Sequence, residues 1–113
     1  MVGRYVPARA DAVWLRFDPR AGHEQAGLRP ALILSPVEYN RRVGLALACP
    51  ITSRAKGYPF EVAIPAGLDV SGVVLSDQVK SLDWRARRAR LLCPLPPMVV
   101  DEVLRKLGVL LQP

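Results

Sequence analysis

The chain has 113 residues, half of them apolar, enough for one compact core and too few for two ordinary domains, so a single domain spanning 1–113 is expected. Sixteen lysines and arginines against 10 acids give a formal charge of +6, and 13 of the 16 are arginines, a bias that suits phosphate groups or an acidic protein partner. No apolar run approaches the roughly 20 residues of a bilayer span, and the start MVGRYVPARADAVWLRF has no signal-peptide core, so a cytoplasmic protein with no membrane partner is expected. A single histidine rules out a multi-histidine metal site within one chain, and Cys49 and Cys93 read as small core fillers between apolar neighbours. No metal or cofactor is expected.

Asp11 to Phe17 alternates as a strand, with Val13, Leu15 and Phe17 on one face and Trp14 and Arg16 on the other. The turn signals of DPRAG end it, and GHEQAGLRP, Gly22 to Pro30, follows as a polar loop. Pro30 leads into a short apolar strand, Ala31 to Ser35, which Pro36 stops. PVEYNRRVG forms one helical turn or a wide connection before a third strand, LALACPI. TSRAKGYP reads as an exposed loop, FEVAI as a fourth strand with its glutamate outward, and VVLSDQVKSL as one or two more strands. Four arginines crowd Arg85 to Arg90. After Pro94, Pro96 and Pro97 the period becomes helical, with Val100, Val103, Leu104, Leu107 and Leu111 on one stripe. Asp101 and Glu102 precede Arg105 and Lys106, an order that suits the helix dipole, and Gly108 marks a weakened last turn.

Many short strands separated by glycine and proline turns, closed by one amphipathic helix, predict a mainly β protein: a small, strongly bent antiparallel sheet or barrel. The chain has no glycine-rich phosphate loop or dinucleotide fingerprint, which argues against an α/β nucleotide-binding fold.

Two loops carry the chemistry. The first holds Gly22, Glu24, Gln25, Gly27, Arg29 and Pro30, the second Thr52 and KGYPFEV from Lys56 to Val62, and DQVKSLDWRARR comes after them. In this order they closely resemble the MazF/PemK family of endoribonuclease toxins of type II toxin–antitoxin systems, over nearly the whole chain. The resemblance implies an SH3-like barrel with a C-terminal helix, a homodimer, and metal-independent cleavage of single-stranded RNA, messenger RNA in particular, at short sequence motifs. It also implies inhibition of growth through translation, neutralisation by the acidic flexible segment of a cognate antitoxin, and contact with operator DNA through that antitoxin. By position it places catalysis on Arg29 and Thr52, with Glu24 as a further member, and Lys56 beside the RNA groove. His23 departs from the small polar residue expected after Gly22, and no role is transferred to it.

The residue chemistry supports the same loops. Metal-free cleavage uses the 2′-hydroxyl of RNA to attack the adjacent phosphorus, leaving a cyclic phosphate and a 5′-hydroxyl. Arg29 can donate two hydrogen bonds to the non-bridging oxygens and Thr52 a third. Losing one such donor typically costs about 3 kcal/mol of barrier. A glutamate at position 24 is a reasonable but weak base, since the reference pKa of about 4.3 leaves it ionised near neutral pH. The RNA-binding set adds Gln25, Tyr58, Gln78, Lys80, Trp84, Arg85 and Arg87, with Tyr58 and Trp84 as stacking platforms or parts of a packed interface. The apolar segments exceed what one small face hides, which favours a symmetric dimer. The competing functions are a gyrase-poisoning toxin of the CcdB type and a non-catalytic nucleic-acid-binding module on the same barrel.

Overall fold

A computed structural model of the chain describes residues 5–17 and 27–112. Its elements are β1 (Asp11–Phe17), β2 (Gly27–Ile33), α1 (Val37–Val43), β3 (Ala46–Thr52), β4 (Glu61–Ala63), β5 (Val73–Leu75), a 3-10 turn over Ser76–Gln78, β6 (Lys80–Leu82), β7 (Arg90–Pro94) and α2 (Pro97–Leu111). All strand pairs are antiparallel, in the order β4-β5-β3-β2-β1-β7, with β6 also on β3. One edge of β3 serves two partners: β6 along Ala46 to Ala48, then β5 at Ile51 and Thr52. That double duty bends the sheet, and the expected mainly β fold with a C-terminal helix is what forms.

Both faces of the sheet are covered. Ala12, Leu32, Cys49, Ile51 and Val74 pack under α2 through Val99, Val100 and Val103. Val13, Leu15, Ala31, Ile33, Ala46 and Ala48 form a second cluster with Trp84. Alternation along β1 and β2 therefore sorts apolar residues between two cores rather than between core and solvent.

Three expectations change. The second strand was expected from Ala31 to Ser35, but β2 runs from Gly27 to Ile33 and contains Pro30. Strand geometry explains why that proline is tolerated. The Arg16 N–H donates to Arg87 O, away from β2, and by alternation Trp14 faces the same way. Pro30, opposite Trp14, therefore turns its nitrogen towards β3, where pairing begins only at Ala31. The turn or wide connection after Pro36 is a two-turn helix, stopped by Gly44 at φ +82°, whose N–H donates to Asn40 O. Finally, α2 buries Val99, Val100 and Val103, whereas Leu104 and Leu111, placed on the apolar stripe, are 38% and 71% exposed. The buried stripe is rotated toward Val99.

Asn40 joins four segments at a point with no solvent exposure. Its Nδ2 donates to Pro7 O (2.7 Å) and Ser35 O (3.1 Å), and its Oδ1 accepts from Ser35 Oγ (2.5 Å). Its backbone carbonyl accepts from Trp84 Nε1 at 2.9 Å, and Ser35 Oγ in turn accepts from Leu47 N–H. Removing the amide leaves two carbonyls and a hydroxyl buried without that partner. Asn40→Ala is expected to lower unfolding free energy by about 2–4 kcal/mol, measured by urea denaturation, with no change in fold.

Candidate active site

The site begins where β2 and β3 part. Their register pairs Leu32 with Cys49 and Ala31 with Pro50, so continuing it sets Arg29 opposite Thr52. It does not continue, because the next ladder bond would need an N–H from Pro30. Beyond that point, among the described residues, β3 is held only on its other edge, where Ile51 and Thr52 pair with β5. A groove of about 640 Å³ opens in the fork, with Arg29, Thr52, Arg54, Asp69 and Ser71 among its polar lining and Trp14, Leu28 and Leu92 among its apolar lining.

Thr52 is held from two sides. Its Oγ1 accepts the Arg54 N–H at 3.1 Å, which orients the hydroxyl and leaves its own hydrogen to donate. Behind it, the 65–72 segment closes against its backbone at Gly72, whose φ is +113°. A Cβ at Gly72 would stand 2.1 Å from Thr52 O and 2.9 Å from Ser53 Cα. Only glycine permits that approach.

The second half of the groove, about 520 Å³, shares Thr52 and Arg54 with the first and continues past Lys56, Tyr58 and Gln78. Its loop is exposed along its length yet firmly tied. Glu61, expected to face outward from its strand, accepts the backbone N–H groups of Lys56 (2.9 Å) and Gly57 (3.1 Å) on its two carboxylate oxygens. From α2, Lys106 Nζ donates to Pro59 O (2.7 Å) and Glu61 O (3.0 Å). The Tyr58 hydroxyl donates to Asp77 Oδ2 at 2.7 Å, and that carboxylate raises the phenol above its ordinary pKa.

The structure thus gathers Arg29, Thr52, Lys56, Tyr58 and Gln78 around two adjoining stretches of groove that meet at Thr52 and Arg54. Glu24 and Gln25, like His23, lie outside the described residues. Lys80 sits on β6 opposite Ala48 and does not line the groove. Arg87 lies along β1, its Nη1 donating to Arg16 O at 3.4 Å. Trp84 corrects the stacking expectation: it is 4% exposed and its indole N–H is used by Asn40, so it has no face to offer a base. Arg85 stacks on that indole at 4.7 Å, with Nη1 close to Gly44 at the carboxyl end of α1, a placement that serves the helix dipole.

Sequence reasoning missed Arg54, Asp69, Ser71 and Gly72 as parts of the site. Arg54 carried a signal, two residues beyond Thr52 in a polar loop. The other three become neighbours only through the pairing of Thr52 with Val73. Cys49 is no alternative nucleophile, since burial, with the Asp77 charge adding to it, pushes its thiol up to about 12. Among the described residues no three acidic, histidine or cysteine side chains are grouped to hold a metal ion, and no helix is long and apolar enough to cross a membrane.

A bent antiparallel sheet with a C-terminal helix, and a groove at the β2–β3 fork lined by an arginine and a threonine, defines a small β-class protein. Comparison with known proteins makes this specific. Residues 8–111 match the family model described as PemK-like, MazF-like toxin of type II toxin–antitoxin system. The chain is 48% identical over 111 residues to the endoribonuclease toxin MazF of Escherichia coli strain K12, covering 98% of this chain and 99% of that protein. It is 38% identical over 104 residues to the endoribonuclease PemK of Escherichia coli, covering 88% and 78%. The MazE-MazF crystal structure (Form-II) from Deinococcus radiodurans superposes with a TM-score of 0.91 at 62% identity, over 96% of this chain and 97% of that one. The chain belongs to the PemK/MazF toxin family, and its activity is that of an endoribonuclease toxin.

The contact behind Thr52 carries a prediction. Gly72→Ala must displace the Thr52 backbone, and kcat/KM for RNA cleavage is expected to fall about 100-fold, the scale of an ångström misplacement, while circular dichroism still reports a folded sheet.

Proposed function

We propose that this endoribonuclease toxin cleaves single-stranded RNA, messenger RNA foremost, at short sequence motifs and without a metal ion, in the cytoplasm, so stopping translation. The observation that carries the reading is the convergence of Arg29 and Thr52 on one groove at the β2–β3 fork. A phosphodiester seated there meets the Arg29 guanidinium and the Thr52 hydroxyl together. The 2′-oxygen gives up its proton and attacks phosphorus, the bond to the 5′-oxygen breaks, that oxygen takes up a proton from water, and the products are a 2′,3′-cyclic phosphate and a 5′-hydroxyl. Charge gathers on the non-bridging oxygens in the transition state, where donors already in place act most strongly. Glu24 completes the catalytic set on sequence grounds, as the acceptor of the 2′-hydroxyl proton, and Gln25 joins the RNA contacts on the same grounds. Lys56, Tyr58 and Gln78 hold the flanking nucleotides, Tyr58 by stacking. Lys80, Arg85 and Arg87 contribute to the field that draws RNA rather than to the groove lining.

The same cationic surface suits the acidic flexible segment of a cognate antitoxin, and the Deinococcus relative is solved with MazE. Through such an antitoxin the toxin would also meet operator DNA. A homodimer is supported by apolar side chains left exposed on one chain: Val43 and Leu47 at 51% and 40%, and Val109, Leu110 and Leu111 along the end of α2 at 62%, 51% and 71%. A gyrase poison or a passive binding module has no use for an arginine and a threonine brought together on one groove.

Two measurements test this. In a chelator-containing buffer, the protein is expected to cut a diverse single-stranded RNA pool at a recurrent motif with cyclic-phosphate ends, and Arg29→Ala and Thr52→Ala to lose about 100- to 1,000-fold in kcat while remaining folded. Absence of cleavage by the folded protein, or variants as active as the parent, would reject the assignment. Sedimentation equilibrium is expected to return twice the 12.4 kDa chain mass at micromolar concentration, and a monomer mass counts against the dimer.

A further inference from the structure

Asp77 has no part in phosphate chemistry and was not among the residues expected to act, yet its carboxylate stands in an unusual position. Oδ2 accepts the Tyr58 hydroxyl at 2.7 Å, while Oδ1 is buried and has no hydrogen-bond partner among the described residues. Tyr58 is 47% exposed, lines the groove beside Lys56 and Gln78, and is backed by Phe60 with ring centroids 5.9 Å apart and planes tilted by 51°. The backbone on either side is already clamped, by Glu61 at Lys56 and Gly57 and by Lys106 at Pro59. The remaining freedom is the swing of the phenol itself.

We propose that Asp77 is a positioning residue that latches Tyr58 in place as a preformed stacking face at the end of the groove remote from Arg29. This rests on the ribonuclease reading of the same groove. Two features of the geometry support it. The carboxylate has one oxygen sealed in protein, so Tyr58 is the donor that answers its charge, and a charge-assisted bond of this kind is roughly twice as strong as a neutral one. The donor also comes from a loop 19 residues away in sequence, so the bond ties the groove wall to the 3-10 turn that carries Gln78. An aromatic ring ordered before RNA arrives loses no rotamer freedom on binding, an advantage of about 3- to 10-fold in affinity. The effect falls on substrate binding, not on the chemical step, because the latch touches neither Arg29 nor Thr52.

The test compares wild type with Asp77→Ala, Asp77→Asn, Tyr58→Phe and the Asp77→Ala/Tyr58→Phe double variant, on a single-stranded oligonucleotide containing the motif that the wild-type protein cuts. Asp77→Ala and Tyr58→Phe are each expected to raise KM about 3- to 10-fold with kcat little changed, and the double variant to go no further than either single one. Asp77→Asn keeps an acceptor for the phenol and should lie closer to wild type. Ultraviolet titration reads the latch without cleavage: Tyr58 should ionise at lower pH in Asp77→Ala than in the parent. Unchanged KM in Asp77→Ala, a loss confined to kcat, or additive effects in the double variant would overturn the latch. A folded wild-type protein that cuts no RNA would overturn the ribonuclease reading instead, and the titration would still decide whether Asp77 holds Tyr58.

Discussion

The missing N–H of Pro30 is the constraint from which the site follows. Up to Ala31 and Pro50 the two central strands are paired. One step further the ladder needs a donor that proline lacks, and β2 and β3 part while β3 stays paired with β5 on its other edge. Were the ladder to continue, Arg29 and Thr52 would be neighbours on a closed sheet, with no room between them for a phosphate. The break converts two adjacent ladder positions into the two sides of a groove. Pro50 does not interfere, because opposite Ala31 it occupies a position whose nitrogen faces away from β2.

A groove made by withholding sheet bonds needs support from elsewhere, and the structure supplies it from behind. Gly72 presses backbone against the backbone of Thr52, Glu61 folds the Lys56–Gly57 turn onto its own carboxylate, and Lys106 reaches from α2 to two carbonyls of the same loop. Each tie joins parts of the chain that are rigid for other reasons, since β4, β5 and α2 share one core. Glu102 lies beside Lys106 on α2 but is engaged chiefly by Arg105, at 2.7 Å, which leaves the lysine to the loop. Binding side chains on a loop can thus be placed with the precision of a strand.

What the sequence disclosed and what it hid divide along physical lines. β1 was legible to the residue, because its alternation and the turn after it are local. β2 was misplaced by four residues at its start, since proline is ordinarily a strand boundary and its tolerance depends on which edge of the strand is unpaired, a property of its neighbours. The helix was legible and its buried face only in part: Val100, Val103 and Leu107 pack inward as expected, but Val99 and Leu104 are equally apolar and only the position of the sheet chooses between them. Arg29 and Thr52 could be named from the loops that contain them. Their opposition across a fork could not, and neither could the demand for glycine at position 72. Trp84 shows the converse error: a basic, aromatic stretch suggests a stacking face for RNA, yet the indole is buried and its N–H committed to Asn40.

That last case bears on how a small basic protein can be selective about where its charge acts. Net positive charge attracts any polyanion, and much of this chain's arginine is tied to the fold: Arg9 to Leu34 O, Arg41 to Glu38, Arg85 to Trp84 and Arg105 to Glu102. Such residues contribute to the long-range field that speeds encounter, but their geometry is set by the protein and not by the ligand. In the groove the balance differs. Thr52 is oriented by the backbone N–H of Arg54, and Arg29, Arg54 and Asp69 line the same cleft, which therefore carries a carboxylate as well as cations. A carboxylate rejects a second phosphate but accepts the exocyclic amines of bases. On the ribonuclease reading proposed above, attraction would be spread over the surface and discrimination concentrated where the strands part.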